Sequence, residues 1–147
     1  MKDFFFLGLG LLIILGSIFL FFIRPTAIEG QRKVVRINDT SIEVDVVDTP
    51  ETRAMGLSGR KTLPENTGML FIFDSPIRDG FWMKDMRFAI DIVWIDEQYR
   101  IVDIDREVSP DTFPQIFYSN SLVKYVLELP AGFTSQHFID VGAMVQF

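Results

Sequence analysis

Two short and intensely apolar runs, Met69 to Phe73 and Phe88 to Ile95, most restrict how this chain can fold. Each is rich in β-branched or aromatic residues and bounded by turn formers, which is the pattern of a buried strand rather than a helix. Between them lies a loop with Pro76, Gly80 and the segment Phe81-Trp82-Met83-Lys84-Asp85. The core of the domain is expected on the two runs, and any site on or beside the loop.

The remaining pattern supports the same class. Ile42, Val44 and Val46 alternate with Glu43, Asp45 and Val47, the period of a half-buried strand. Asn38-Asp39 turns the chain ahead of it, so Val34–Ile37 and Ile42–Val47 are expected to form a hairpin. Thr49 followed by Pro50 starts a short helix that reaches about Leu57 and stops at Gly56 or Gly59. Ile101–Ile104 is expected to lie antiparallel to Ile90–Ile95. Val123–Leu129 is a further strand, with Val123, Tyr125, Leu127 and Leu129 on one face and Lys124, Val126 and Glu128 on the other. A helical turn over Thr134–Phe138 and a last strand over Ala143–Phe147 complete a mostly β domain, of sandwich or barrel type, with one or two short helices.

Ahead of this domain, Phe4–Ile23 is an uncharged stretch of 20 residues dominated by Phe, Leu and Ile. Such a stretch matches a hydrocarbon core of roughly 30 Å when helical. Pro25 and Ala27 make a poor cleavage site, which favours a retained anchor over a removed signal peptide. The expected organisation is a transmembrane anchor over 1–23, a tether over 24–32 and a β-rich domain over 33–147. Arg24, Arg32, Lys33 and Arg36 beyond the anchor would weakly hold the domain on the cytoplasmic side. A single leading apolar segment before a folded domain points the other way, and a single-pass protein with an extracytoplasmic domain is the preferred reading.

Charge and composition narrow the functional classes. Lys2 and Asp3 cancel, so the whole formal charge of -6 sits on the part beyond the anchor, which disfavours a nucleic-acid partner. With no cysteine there is no disulfide, thiolate metal site or cysteine nucleophile. No phosphate-binding glycine loop occurs. His137, the only histidine, has no nucleophile elbow to serve and reads as a surface or packing residue. Asp103 and Asp105 lack the third acid and the glycine loop of a calcium site. No metal, cofactor or catalytic residue is therefore expected.

The blocks DTPETRAMGLSGR, LPENTGMLFIFD, FWMKDMRFAIDIVWID and YVLELPAG, with Ile139, Val141 and Gly142 late in the chain, occur in this order. The series resembles the uncharacterised family known as domain of unknown function 192, over nearly all of the chain from Ile42 onward. The resemblance implies a compact, mostly β fold and no established activity. Three positions depart from the family pattern: Asp85 stands where an amide is usual, Ala89 where proline is common, and Ala143 where an acid follows the glycine. Exchanging an amide for a carboxylate removes two donors and adds charge, which counts against a ligand contact at Asp85.

Five residues are the candidates for ligand binding: Trp82, Lys84, Asp91, Arg53 and Glu128. Asp91 interrupts an apolar strand, and a carboxylate there must be paired or protonated. The plainer account pairs it with Lys84, Arg87 or Arg53. Trp82 and Lys84, with Phe81 or Tyr99, would make an aromatic platform with a cationic rim, suited to a sugar ring; a tryptophan capping the core is the equal alternative. Arg53 reads as solvated or paired within the domain, and Glu128 as solvent-facing or paired with Lys124.

Three functions fit these features. The first is a membrane-anchored domain at the cell envelope that binds a small polar ligand, such as a saccharide, or a segment of a partner. The second is a structural partner in a membrane complex, using Trp82 and the Phe113–Tyr118 loop. The third is an envelope hydrolase working through Asp91 and Glu128.

Overall fold

The structure, a computed structural model, describes residues 31–147. The expected anchor, and all of the tether but its last two residues, lie outside the described residues. Among the described residues no helix is long and apolar enough to cross a membrane.

The chain begins with β1 (Arg32–Ile37) and β2 (Thr40–Val47), joined through Asn38-Asp39 with Ile37 opposite Thr40. Asn38 takes a φ of 53°, the left-handed conformation that asparagine tolerates well. Helix α1 (Pro50–Met55) follows, two residues short of the expected end at Leu57. Thr49 caps it by accepting from the Thr52 amide at 3.2 Å, and Thr52 answers with its own hydroxyl. Gly56 ends it at a φ of 49°, where a side chain would be strained.

The long β3 (Thr67–Ile77) then runs parallel to β2, with Val44 opposite Gly68. After β4 (Phe81–Trp82) come β5 (Ile90–Ile95) and β6 (Ile101–Val108), antiparallel as expected. A 3-10 turn over Pro110–Thr112 leads to β7 (Ile116–Phe117) and β8 (Val123–Pro130). Helix α2 (Phe133–Gln136) and β9 (Val145–Gln146) close the chain, both shorter than the pattern suggested.

Seven strands form one mixed sheet in the order β6-β5-β8-β3-β2-β1-β9. The segment before β9 also touches the start of β6: Arg100 bridges Met144, and the Ile101 amide donates to the Ala143 carbonyl at 2.9 Å. The two edges of the curled sheet are thereby tied at one end. β4 and β7 form a separate two-stranded sheet that the sequence pattern did not reveal.

The sheet has a core on each face. Inside the curl pack Val35, Ile37, Ile42, Val44, Leu70, Val93, Ile95, Tyr125, Leu127 and Leu129, with Phe133 of α2 among them. On the other face Val47, Met69, Phe71, Phe73, Ile90, Ile92, Trp94 and Val126 are covered by Leu57, Phe81, Met83 and Phe117. β5 is buried at every position because both of its sides are covered, which is why it reads as an unbroken apolar run. Side chains alternate across a strand, so neighbouring residues of β5 and β8 serve opposite cores.

Candidate functional site

That alternation separates the two acids singled out from the sequence. Asp91 pairs across the ladder with Leu129, and Glu128 with Ile92. Asp91 therefore enters the inner core, whereas Glu128 enters the covered outer face. The two carboxylates stand on opposite sides of the sheet and cannot flank one bond, which removes the hydrolase arrangement based on that pair.

Asp91 is fully buried, and its partners are not the expected cations. Its Oδ1 accepts from the amides of Glu107 at 2.8 Å and Gly132 at 3.0 Å. Its Oδ2 accepts from the Thr134 amide at 2.9 Å and the Thr134 hydroxyl at 2.6 Å. Both oxygens thus hold the start of α2 and the end of β6 against β5, an arrangement that leaves no capacity for a ligand. The paired-acid expectation is corrected in its partners: backbone amides and a hydroxyl replace Lys84, Arg87 and Arg53.

Glu128 is the reverse case. It is 6 % exposed, and its Oε2 has no hydrogen-bond partner. Neither solvent exposure nor a pair with Lys124 describes it, because the outer face of β8 lies under the cover. Burial pushes its carboxyl up to about 8, with Arg60 opposing weakly. Arg60 is itself held by Asp45 at 2.9 Å. Glu128 lines a cavity of about 530 Å³ together with Arg53, Phe71, Phe73, Phe81, Trp82 and Met86. That volume lies in the range of small-molecule sites.

Each wall has a local cause. Helix α1 is pinned to β3 by Arg53, whose guanidinium donates to the carbonyls of Asp48 and of Ile72, the latter at 2.9 Å, and lies 5.0 Å over the Phe73 ring. Arg53 is neither simply solvated nor paired with a carboxylate. Phe81 points inward, edge-on to Phe71 at 4.9 Å and to Trp94 at 5.3 Å. Trp82, next along β4, points outward with 53 % of its surface exposed and meets Phe113 at 6.3 Å. It does not cap the core; like Met55 it is an exposed residue of the cavity lining.

The expected platform is rearranged in other respects. Lys84 is exposed and does not line the cavity; its carbonyl accepts from the Ser58 hydroxyl at 3.0 Å. Tyr99 stacks on Tyr125 at 5.2 Å, among the residues of the inner face. Asp85 takes a φ of 58°, and its carbonyl accepts from the Gly59 amide at 3.0 Å. Asparagine and aspartate both tolerate that conformation, so the departure from the family's amide preserves the turn. The structure therefore brings Arg53, Trp82 and Glu128 together, and leaves Lys84 and Asp91 outside.

Elsewhere, Asp103 and Asp105 are engaged by protein groups. Asp105 accepts from the Trp94 indole at 2.7 Å, and Asp103 from the Asn120 side chain at 2.8 Å. Burial raises the Asp105 carboxyl, the indole lowers it and the neighbouring Asp103 raises it again. His137 packs on Phe133 with ring centres 4.2 Å apart. Among the described residues no three acids or histidines gather as a metal site.

Fold and site together define a small β-rich domain: a curled mixed sheet carrying an acid-floored aromatic cavity on its outer face. The chain belongs to the uncharacterised family of domain of unknown function 192, described as "Uncharacterized ACR", whose pattern matches residues 33–147. None of the curated proteins is significantly similar to it. Two solved structures share the fold. One is a protein from Sinorhizobium meliloti 1021 presented as a proposed transcription regulator, with 26 % identity, 82 % of this chain and 96 % of that chain covered, and a TM-score of 0.77. The other is a protein of unknown function from Novosphingobium aromaticivorans DSM 12444, with 22 % identity, 84 % and 90 % covered, and a TM-score of 0.78.

Proposed function

We propose that this chain is a membrane-anchored binding domain of the cell envelope, which holds a small ligand in the cavity between α1, β3, β4 and β8. The observation that carries the reading is the Glu128 carboxyl, buried and with an unpartnered oxygen, on the floor of a cavity walled mainly by aromatic and aliphatic residues. A polar group left so costs stability of about 1 to 3 kcal/mol, which a ligand partner would offset. Trp82 at the mouth supplies a broad face for an apolar ring. The apolar stretch Phe4–Ile23 supports the anchoring, with the domain on the extracytoplasmic side.

The transcription-regulator description of the Sinorhizobium protein has little to support it in this chain. The formal charge of -6 opposes a phosphate backbone, and the longest described helix has 6 residues, short for a groove reader.

A panel of sugars, short peptides, organic acids and organic amines, titrated against the full-length chain by thermal shift, tests the binding role. Stabilisation by one class, reduced in Trp82→Ala and Glu128→Gln, is expected. No stabilisation by any class would overturn it. Membrane fractionation and protease protection in cells test the anchor: recovery of the whole chain in the soluble fraction would remove that part of the proposal.

A structural role in a membrane complex has one observation in its favour. Met55, Trp82, Phe113, Ile116 and Tyr118 are exposed apolar residues on α1, the two-stranded sheet and its connections. Co-purification of a stoichiometric membrane partner, lost in Trp82→Ala and indifferent to Glu128→Gln, would favour that reading over the first.

A further inference from the structure

We infer that the ligand of this cavity is a small organic ammonium ion, seated between aromatic walls with its charge against the Glu128 carboxylate. This rests on the cavity being a binding site and names the chemistry it takes.

The charges around Glu128 leave one role open. Its cross-strand neighbours, Met69 on β3 and Ile92 on β5, are apolar. Arg60 is committed to Asp45 at 2.9 Å. Arg53 on α1 is committed to two backbone carbonyls and to the Phe73 ring. Asp79, on the β3–β4 connection, adds a second acid to the lining and accepts from the Gly80 amide at 2.9 Å. The cavity thus presents an acid with an unpartnered oxygen and, among its described lining residues, no uncommitted cation.

The walls favour the same chemistry. Phe71, Phe73, Phe81 and Trp82 line the space, and the face of an aromatic ring attracts a positive charge. Arg53 over Phe73 already uses one such face. An anion would meet the Asp79 carboxylate, and Glu128 wherever it is ionised, with no free base to offset them. A sugar would bring several hydroxyls to walls that offer four polar side chains, Arg53, Ser58, Asp79 and Glu128, and each unmatched hydroxyl would lose hydration without a partner.

Burial keeps the Glu128 carboxyl protonated up to about pH 8, so a cation arriving at neutral pH displaces that proton to solvent. The apparent affinity for a cation of fixed charge therefore falls about tenfold for each pH unit below that value, and levels off above it.

Choline is a suitable probe because its charge does not change with pH, and dimethylbutanol is its uncharged carbon isostere. Binding of both to the full-length chain would be measured by calorimetry at about pH 6 and about pH 9. Choline is expected to bind at least about tenfold more tightly than the isostere at the higher pH, and to weaken on acidification while the isostere does not. In Glu128→Gln the preference and its pH dependence should both disappear. Equal affinity of the wild-type chain for the two probes would overturn the ammonium assignment and leave the binding role standing. Failure of both probes, together with failure of the wider panel, would overturn both; failure of both probes with binding of a sugar or an acid would overturn this inference alone.

Discussion

Thr134 donates twice to Asp91, from its amide at 2.9 Å and from its hydroxyl at 2.6 Å, across a gap of 43 residues in the chain. With the amides of Glu107 and Gly132 on the other oxygen, this acid fastens α2 and the end of β6 to β5. Hydrogen bonds to a charged acceptor contribute about 1.5 to 3 kcal/mol each, and they are not additive within one network. Asp91→Asn places an amide donor against backbone donors and is expected to destabilise the domain by about 3 kcal/mol. Urea unfolding followed by tryptophan fluorescence measures it. A loss below about 0.5 kcal/mol would show that the network does not bear on stability.

Glu128 predicts a pH dependence of stability with a definite sign. Its folded-state value of about 8 lies above the ordinary 4.5, so between these values the folded chain holds a proton that the unfolded chain has released. Stability associated with this group is fully present below 4.5 and is lost as pH rises to about 8, at about 1.4 kcal/mol per pH unit. Glu128→Gln cannot ionise. The difference in unfolding free energy between variant and wild type should grow through that window in the variant's favour and stay constant above it. Urea unfolding at a series of pH values checks this; a flat difference would mean that the carboxyl is hydrated in the folded chain.

Phe81 and Trp82 are adjacent in sequence and opposite in consequence. Phe81 packs against Phe71 and Trp94, so Phe81→Ala is expected to cost about 3 kcal/mol. Trp82→Ala removes a half-exposed ring that meets Phe113, and should cost about 1 kcal/mol or less while weakening ligand binding at least about tenfold. Thermal melting and a ligand titration on each variant separate the two effects. If Trp82→Ala destabilised as much as Phe81→Ala, the indole would be part of the core.

The strands were legible because apolar alternation and turn residues are local signals. β1, β2, β3, β5, β6 and β8 all lie where those signals place them. Alternation says which side of a strand a residue occupies, and not whether that side is covered. Val126 and Glu128 stand opposite Leu127 and Leu129 as the alternation requires, yet their side carries a second core supplied by the turn after α1, β4 and β7, which are remote in sequence. The partners of Asp91 were hidden for another reason: three of its four donors are backbone amides, and any residue but proline has one. Two-residue strands such as β4 and β7 are too short to show a period, so the mouth of the cavity left no pattern to read.

Gly68 links the sheet to the cavity floor. A Cβ at this position would lie 2.7 Å from the carbonyl oxygen of Glu128 and 2.9 Å from the Leu129 side chain. The side chain could turn away, but the carbonyl belongs to the central strand β8 and is fixed by its ladders to β3 and β5. Gly68→Ala must therefore push β3 and β8 apart, at a cost of about 1 to 3 kcal/mol. Because the displaced carbonyl is that of Glu128, water should gain access to the carboxyl and lower the pH at which it ionises toward the ordinary range. Two measurements follow: a lowered urea midpoint, and a shallower fall of stability between pH 4.5 and about 8 than in the wild type. A lowered midpoint with an unchanged pH slope would mean that the strand yields without disturbing the cavity floor.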